Sequence, residues 1–419
     1  MTPRVESCLA LLAATVLVAA CGGGEPGAQP DARQVARRQA LAAPASPITP
    51  AQLFGWAEGQ FADLFPKGPA NERITAGGVT YIARHYAKTG NYLGVGEADG
   101  VVYGLGAFTA NQIQSFGPMA SWGCAVSAAH CPPAGKNRYT TTLDGDTREY
   151  LVHVPKGYNG IDALPVVFML HGSGGNGEKF YNISGWVDTG EAHHVITVFP
   201  SAWVYDCVYD DGGNKRGIAK WTSYDLELCA GTTDHFRDDS RFIGQMMDEL
   251  QAKFRVDARR IYLVGFSNGG EMAARAAVEL GDRLAAVVAN AGGLDAVHVA
   301  RRAQMPVTVQ VGNADANMMG ALGATQPLPM DIGLLLGTYS RAKTFVDNFR
   351  TTFEAAATYV TSGDASAQTA TWAGNSGRSD HLLRFTLVKD LQHEYPNGIN
   401  HPMKGAEVHW AWMSNYTLP

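Results

Sequence analysis

The sequence predicts an α/β protein whose main domain is a mainly parallel, doubly wound sheet, preceded by a small α+β module. From about residue 164 onward, apolar runs of strand length alternate with helical patterns. This alternation is typical of a parallel sheet that is covered by helices on both faces. The length of 419 residues also allows a large core together with a smaller companion domain.

The first 47 residues are predicted to be an export signal and a tether. Residues 1–20 contain an apolar stretch that is too short to span a bilayer, and small residues precede Cys21. This pattern resembles a lipoprotein signal peptide, which would make Cys21 the lipidated first residue; an ordinary secretory signal is the alternative. Residues 21–47 are small, polar and proline-bearing, as in a flexible tether. We expect a protein that is exported and either lipid-anchored in the cell envelope, at the outer membrane, or secreted.

Residues 48–119 are predicted to form the small α+β module, whose role the sequence does not indicate. The stretch LFGWAEGQFADLFP has the pattern of an aromatic-rich helix, and YIARHYAKTGNYLGVGEADGVVYGLG that of short strands joined by Thr-Gly and Asp-Gly turns. Its aromatic side chains are spaced as in a hydrophobic core, which we favour over a polymer-binding face.

The cysteines that remain after removal of the signal and lipidation predict two disulfides. An even number of cysteines in an oxidising compartment is typical of disulfide pairing. The four are Cys124, Cys131, Cys207 and Cys229. Three pairings are open, and the local ones are the simplest, so residues 120–137 are predicted to be a disulfide-bearing linker. A metal site at His130 and Cys131 is disfavoured because the spacing matches no common zinc pattern.

Residues 138–419 are predicted to form the main domain. An alternating pattern on both sides of Asp144-Gly145 predicts a hairpin at the antiparallel edge of the sheet. Apolar runs predict further strands at 164–172, 194–200, 260–265, 285–293, 305–312 and 383–390. Helices are predicted at 241–254, at 272–280 and near the C-terminus at 405–413. The formal charge of −6, with no long Lys/Arg block, disfavours nucleic acid as a partner.

The stretch Gly265-Phe-Ser267-Asn-Gly269 lies where a predicted strand meets a predicted helix. A nucleophilic serine on a sharp turn needs this junction, because only small residues on either side leave room for the turn. We therefore predict that Ser267 is a nucleophile; the alternative is that the glycines are only a hinge.

A nucleophilic serine needs a base and an orienting acid, which follow it in the order Asp, His on this kind of sheet. Asp315 follows the strand 305–312 and is predicted to be the acid, whereas Asp331 and Asp347 lie in or beside helical patterns. His393 follows the last predicted strand and is the predicted base. The rivals are His401 and His409, and for His409 a packed position in the terminal helix is the simpler interpretation.

The glycine-rich run His171-Gly-Ser173-Gly-Gly175 follows another predicted strand. Such a loop can direct backbone N–H groups toward a developing oxyanion. We assign the oxyanion hole to the backbones of Ser173 and Asn268, and we expect His171 to hold the loop in place.

From about Tyr139 to the C-terminus, the sequence resembles the exported esterases that include poly(3-hydroxybutyrate) depolymerases and feruloyl or acetylxylan esterases. The matching stretches are REYLVHVPKGY, LPVVFMLHGSGGN, VITVFPSA, RDDSRFIGQMMDELQAKFRVDARRIYLVGFSNGGEMA and the segment from His393 to Pro396. The resemblance implies an α/β-hydrolase fold with Ser267, Asp315 and His393 as its triad. Two segments depart from the usual pattern and alter the pocket wall, namely 311–315 (VGNAD) and 392–396 (QHEYP).

A long insertion between the second apolar strand and the next helix is expected to lie near the site. Its aromatic residues Trp203, Tyr205 and Trp221 are candidates for substrate contact, and packing around a Cys207–Cys229 disulfide is the alternative. Its carboxylates Asp206, Asp210 and Asp211 are more simply a solvated loop than a calcium site.

Taken together, these features predict an exported serine esterase that needs no metal or cofactor. Its expected substrate is a carboxylic ester, in the first place a polyester such as a polyhydroxyalkanoate. The alternatives are a feruloyl or acetylxylan esterase, a peptidase or poly(amino acid) hydrolase, and a surface lipoprotein that binds without catalysis.

Overall fold

The computed structural model describes residues 48–60, 65, 70–76, 78–86, 91–98, 100–105, 113–119, 131–160, 162–208, 215–224, 236–374 and 383–419. The predicted signal, tether and lipidated Cys21 lie outside these residues, as do Cys124, His130, Asp210, Asp211 and Cys229. Cys131 is disulfide-bonded and Cys207 lies in a strand. The pairings of Cys131 with Cys124 and of Cys207 with Cys229 stay predictions.

Contacts divide the chain into two compact units. The first runs to Pro132 and also takes in Lys156–Ala163 and Ala252–Arg255. It contains helix α1 (Pro50–Gln60) and a five-stranded antiparallel sheet in sequence order. The strands are β1 (Glu72–Ala76), β2 (Val79–Tyr86), β3 (Asn91–Gly96), β4 (Val101–Leu105) and β5 (Ile113–Pro118). The predicted aromatic core is present, with Phe54, Phe65 and Tyr86 at most 3% exposed.

The second unit is built on a ten-stranded mixed sheet. Its first strands are β6 (Gly135–Leu143), β7 (Asp146–Val154), β8 (Leu164–Leu170) and β9 (Ile196–Pro200). Its central and last strands are β12 (Val256–Phe266), β13 (Ala286–Asn290), β14 (Val307–Gly312), β15 (Val360–Gly363), β16 (Ala367–Trp372) and β17 (Leu383–Val388). A separate two-stranded hairpin consists of β10 (Trp203–Val208) and β11 (Lys215–Lys220).

The strand order is β15-β16-β17-β14-β13-β12-β8-β9-β7-β6. Neighbours are parallel from β17 to β9, and the pairs at both edges are antiparallel. The predicted fold class is therefore confirmed, and the predicted hairpin β6–β7 forms one edge. The second antiparallel edge, β15–β16, was not predicted from the sequence. Every residue of β15 is exposed, so this strand carries no apolar run that would reveal it.

Nine described helices complete the two units, and eight of them belong to the second. The first four of these are α2 (Gly177–Ile183), α3 (Trp186–His193), α4 (Asp239–Lys253) and α5 (Asn268–Glu279). The last four are α6 (Ala316–Leu322), α7 (Ile332–Thr338), α8 (Ser340–Thr352) and α9 (Gly405–Met413). The apolar face predicted for α4 is buried, with Phe242, Met246 and Leu250 at most 1% exposed. Within the described ranges no helix is long and apolar enough to cross a membrane.

Candidate active site

Ser267 lies on a strained turn between β12 and α5. Its backbone has φ 55° and ψ −125°, a region that L-residues with a side chain seldom adopt. The Ser267 N–H donates to the carbonyl of Asn290 on β13 at 2.8 Å, and its carbonyl accepts from Glu271 N at 3.0 Å. A strained strand-to-helix turn of this kind is the geometry that exposes a nucleophilic side chain above a parallel sheet.

The two glycines of the motif are required by backbone crowding. A Cβ at Gly265 would lie 1.8 Å from the carbonyl oxygen of Gly269, and a Cβ at Gly269 would lie 2.4 Å from the carbonyl oxygen of His171. Both distances are far below any real contact, and both clashing atoms are backbone atoms. The turn can therefore form only with glycine at these positions, as the sequence pattern predicted.

We expect Gly265→Ala to lower the free energy of unfolding by at least about 3 kcal/mol, because backbone would have to move to admit the new methyl group. Urea unfolding followed by circular dichroism measures the change. Gly320→Ala is the matched control, since Gly320 lies in α6 with open space around its Cα. That variant should be stabilised by up to about 1 kcal/mol, the usual gain of alanine over glycine in a helix. Equal stability of Gly265→Ala and the wild type would contradict this account of the turn.

The structure brings the predicted nucleophile, base and acid together. His393 Nε2 lies 2.9 Å from Ser267 Oγ, and His393 Nδ1 lies 2.8 Å from Asp315 Oδ2. A carboxylate only accepts hydrogen bonds, so Nδ1–H donates to Asp315 and Nε2 faces the serine hydroxyl as an acceptor. Asp315 is fully buried, and its other oxygen caps helix α6 by accepting from Met318 N at 3.0 Å. Strands β12, β14 and β17 thus deliver the three side chains to one edge of the sheet.

The competing acids and histidines have other partners. Asp331 caps helix α7 by accepting from Leu334 N at 2.8 Å, and Asp347 forms ion pairs with Lys343 and Arg350. His401 Nε2 lies 2.9 Å from the carbonyl of Lys389. These contacts give the three side chains structural roles.

Two buried histidines support the site rather than take part in it. His171 lies in the predicted scaffold position: its Nε2 accepts from Ala202 N at 3.0 Å, and its Nδ1–H donates to Gly172 O at 2.7 Å. Burial lowers the pKa of His171 to about 4, so the ring stays neutral. His409 is 2% exposed in α9, and its Nδ1 lies 2.9 Å from the hydroxyl of Tyr395, a residue of the same segment as His393.

The loop predicted to form the oxyanion hole is held against the nucleophile. A Cβ at Gly172 would lie 3.1 Å from the Cβ of Ser267, and Gly174 N donates to Ala219 O on β11 at 2.8 Å. Asn268 is the first residue of α5, where a helix leaves its N–H groups without intrahelical acceptors. The assignment of the donors to Ser173 and Asn268 stays a prediction that this placement allows.

Two of the three aromatic residues predicted to contact the substrate require a correction. Tyr205 and Trp221 are 1% and 0% exposed, so neither presents a surface to a substrate in this structure. The Tyr205 hydroxyl accepts from Arg237 N at 3.0 Å, and the guanidinium of Arg237 covers the half-buried ring of Trp203 at 4.0 Å. Tyr205 and Trp221 are therefore packed inward, whereas Trp203 is only half-buried and stays a candidate for substrate contact.

Trp221 and the side chain of Asn268 have a positioning role that the sequence did not reveal. The Asn268 amide pairs with the backbone of Trp221, accepting from its N–H at 2.7 Å and donating to its carbonyl at 3.1 Å. The indole Nε1 of Trp221 donates to His171 O at 2.8 Å. The insertion is thereby fastened both to the residue after the nucleophile and to the start of the oxyanion loop. Among the described side chains, no group of three or more His, Cys, Asp or Glu residues could hold a metal ion.

The mainly parallel sheet and the nucleophile turn define an α/β-hydrolase fold. Residues 160–312, which include Ser267, match the family model described as Phospholipase/Carboxylesterase.

Several known proteins are similar to parts of the chain. NocK, a protein named as an esterase from Nocardia uniformis subsp. tsuyamanensis, is 29% identical to this chain. The match covers 45% of this chain and 50% of NocK. Poly(3-hydroxyalkanoate) depolymerase C of Paucimonas lemoignei is 28% identical over 34% of this chain and 30% of its own. The crystallised acetyl xylan esterase from Aspergillus awamori is 13% identical with a TM-score of 0.43, covering 66% of this chain and 99% of that one. The chain thus spans half or less of the curated relatives named here.

Proposed function

We propose that the protein is an exported serine esterase that hydrolyses carboxylic esters through an acyl-enzyme. The observation that carries the proposal is the continuous contact from Asp315 through His393 to Ser267 on the strained turn. The family match of residues 160–312 supports the choice of esters. Export, with a lipid anchor at Cys21, rests on the sequence of the first 21 residues.

The contacts suggest how each group acts. Ser267 Oγ attacks the ester carbonyl while His393 Nε2 takes its proton, and the buried Asp315 carboxylate stabilises the imidazolium through Nδ1–H. The backbone N–H groups of Ser173 and Asn268 stabilise the negative oxygen of the tetrahedral intermediate. The imidazolium then protonates the leaving alcohol. Water, activated by the same imidazole, attacks the acyl-enzyme and releases the acid.

For the substrate we propose a polyester of the polyhydroxyalkanoate type. The similarity to the depolymerase from Paucimonas lemoignei supports this choice. A plant-polysaccharide ester is the second candidate, because the bifunctional acetylxylan esterase/xylanase of Neocallimastix patriciarum is 23% identical over 38% of this chain and 20% of its own length.

Covalent labelling and paired assays test the proposal. We expect the purified protein to cleave p-nitrophenyl butyrate much faster than a peptide anilide, and a fluorophosphonate probe to label Ser267, as located by mass spectrometry. Ser267→Ala should lose both labelling and turnover while its melting temperature stays within a few degrees of the wild type. An unlabelled Ser267, or faster cleavage of the anilide, would overturn the assignment. Release of hydroxy acid from poly(3-hydroxybutyrate) compared with ferulate or acetate from xylan decides between the two substrates.

A further inference from the structure

Arg148 on β7 and Asp239 at the start of α4 form an ion pair in the interior of the second unit. Arg148 Nη2 donates to Asp239 Oδ1 at 2.7 Å, and the two side chains are 2% and 0% exposed. No other ion pair between described residues has both partners so deeply buried. Desolvation of two charges offsets much of their attraction, so a buried pair often adds little net stability. Its effect is therefore expected in the position that it imposes on its neighbours.

The second oxygen of the Asp239 carboxylate holds the chain at Thr222. Thr222 N donates to Asp239 Oδ2 at 2.8 Å, and Thr222 Oγ1 lies 3.0 Å from the same oxygen. Since Arg148 is bound to the other oxygen, the carboxylate cannot rotate without losing one of these partners. Asp239 is also the first residue of α4, where the helix dipole stabilises a negative charge. The carboxylate is thus fixed by Arg148 and α4, and it fixes Thr222 in turn.

Trp221, the residue before Thr222, contacts both walls of the predicted oxyanion hole. Its N–H and carbonyl pair with the side chain of Asn268 at 2.7 and 3.1 Å, and its indole donates to His171 O at 2.8 Å. Trp221, Asn268 and His171 are at most 6% exposed, so these contacts are shielded from water. His171 begins the loop that carries Ser173, one predicted donor, and Asn268 carries the other. A displacement of Thr222 would therefore reach both donors through one residue.

We propose that Asp239, held by Arg148, is a positioning residue for the oxyanion hole. It does not touch the ester, and it acts through Thr222 and Trp221 on the two backbone donors. Donors to an oxyanion must lie about 2.7–3.1 Å from it, and a misplacement of about 1 Å can cost about a hundredfold in rate. The inference rests on the esterase activity proposed for Ser267, and it adds to that site a residue of α4.

Asp239→Asn tests the proposal because the amide cannot satisfy both partners. Whichever way the amide turns, its N–H₂ group faces either Arg148 or Thr222 N, which are both donors. We expect kcat for p-nitrophenyl butyrate to fall by about tenfold to a hundredfold, and KM to change by less than about threefold, because the oxyanion forms only after the ester has bound. Affinity for an alkyl trifluoromethyl ketone, which forms an anionic hemiketal with the serine, should fall in parallel with kcat.

Leu250→Ala is the matched control for lost stability. Leu250 is 1% exposed and lies on the same helix, about three turns beyond Asp239. The cavity left by its side chain should lower the melting temperature by about 5 °C or more, whereas kcat at a temperature where the variant is folded should equal that of the wild type. An equal loss of kcat in both variants would show that lost stability, and not position, is responsible, and would overturn the inference.

Thr222→Val leaves the ion pair intact and removes only the hydroxyl that faces Asp239, so it decides the question if circular dichroism shows that Asp239→Asn does not fold. It should lower kcat several-fold, and Thr222→Ser should recover most of that loss. Wild-type kcat in a folded Asp239→Asn, wild-type kcat in Thr222→Val, or a rise in KM alone would each overturn the inference. A wild type that neither hydrolyses the ester nor reacts with the fluorophosphonate probe would instead overturn the function proposed for Ser267.

Discussion

Asp315→Asn is expected to lower kcat for ester hydrolysis by about 10⁴-fold. Asparagine presents an N–H₂ or a neutral carbonyl to His393 Nδ1, so it no longer holds the proton on Nδ1 or leaves Nε2 free to accept from Ser267. The imidazolium formed during the reaction also loses its buried counter-charge. The contact that is changed is the 2.8 Å bond between Asp315 Oδ2 and His393 Nδ1. Turnover of p-nitrophenyl butyrate at saturating substrate measures the effect.

The chain contains a matched control for this substitution. Asp315 and Asp331 cap helices α6 and α7 with nearly the same backbone geometry, φ −71° and ψ 106° against φ −73° and ψ 111°. Asparagine is as good a helix cap as aspartate, so both variants keep a capped helix. Asp331→Asn should therefore retain full activity. If the two variants lost activity equally, Asp315 would be acting through its cap and not through His393.

The core strands and the nucleophile turn could be predicted because their signals are local. Continuous apolar runs mark the buried strands, and the glycines at 265 and 269 lie within two residues of Ser267. The positions of acid and base could be predicted because parallel strands end at one edge of the sheet. Asp315 and His393 each follow such a strand closely, so their positions at that edge did not depend on any distant contact.

The insertion could not be predicted in the same way because its environment depends on distant residues. Trp221 contacts Asn268 and His171, which are 47 and 50 residues away in sequence. An aromatic residue in a long loop has the same pattern whether it is buried or exposed, so the sequence left both interpretations open.

The sheet also carries a buried polar patch on β14 and β17, and this patch has a signal in the sequence. In MPVTVQVG and LRFTLV, the polar residues Thr308 and Gln310, and Arg384 and Thr386, recur at every second position. Alternate residues of a strand share one face. Two adjacent strands with this alternation therefore indicate a polar patch inside an otherwise apolar sheet.

We expect the folded protein to lose stability steeply as the pH falls from about 6.5 toward 4. Burial, with smaller contributions from Lys179 and Arg148, lowers the pKa of His171 to about 4, and burial with Arg384 lowers that of His409 to about 3. The ordinary pKa of a histidine side chain is 6.5. Below about pH 6.5 the unfolded chain takes up two protons that the folded chain cannot, so acid favours unfolding.

Burial is the main reason why the folded state resists these protons, because the protein interior disfavours a charged imidazolium. Protonation of His171 would also break the bond in which its Nε2 accepts from Ala202 N, and protonation of His409 would place a charge on a ring enclosed by Tyr395 and Gln310. At about 1.36 kcal/mol per pH unit, the lowered values correspond to roughly 3 kcal/mol for His171 and roughly 5 kcal/mol for His409. Those are large fractions of a typical folding free energy of about 5–15 kcal/mol. Carboxylates whose pKa is lowered, such as Glu279 and Glu407, act in the same direction but below about pH 4.5.

Urea unfolding at a series of pH values between 4.5 and 6.5 isolates the histidine contribution. His409→Gln keeps a donor for Gln310 but cannot titrate, so its stability should fall with pH about half as steeply as that of the wild type. Tyr395→Phe is the control for the lost contact, because it removes the hydroxyl that contacts His409 but leaves the imidazole. It should be less stable than the wild type at every pH, with an undiminished slope. If His409→Gln kept the full wild-type slope, titration of the buried His409 ring could not be the source of the acid sensitivity.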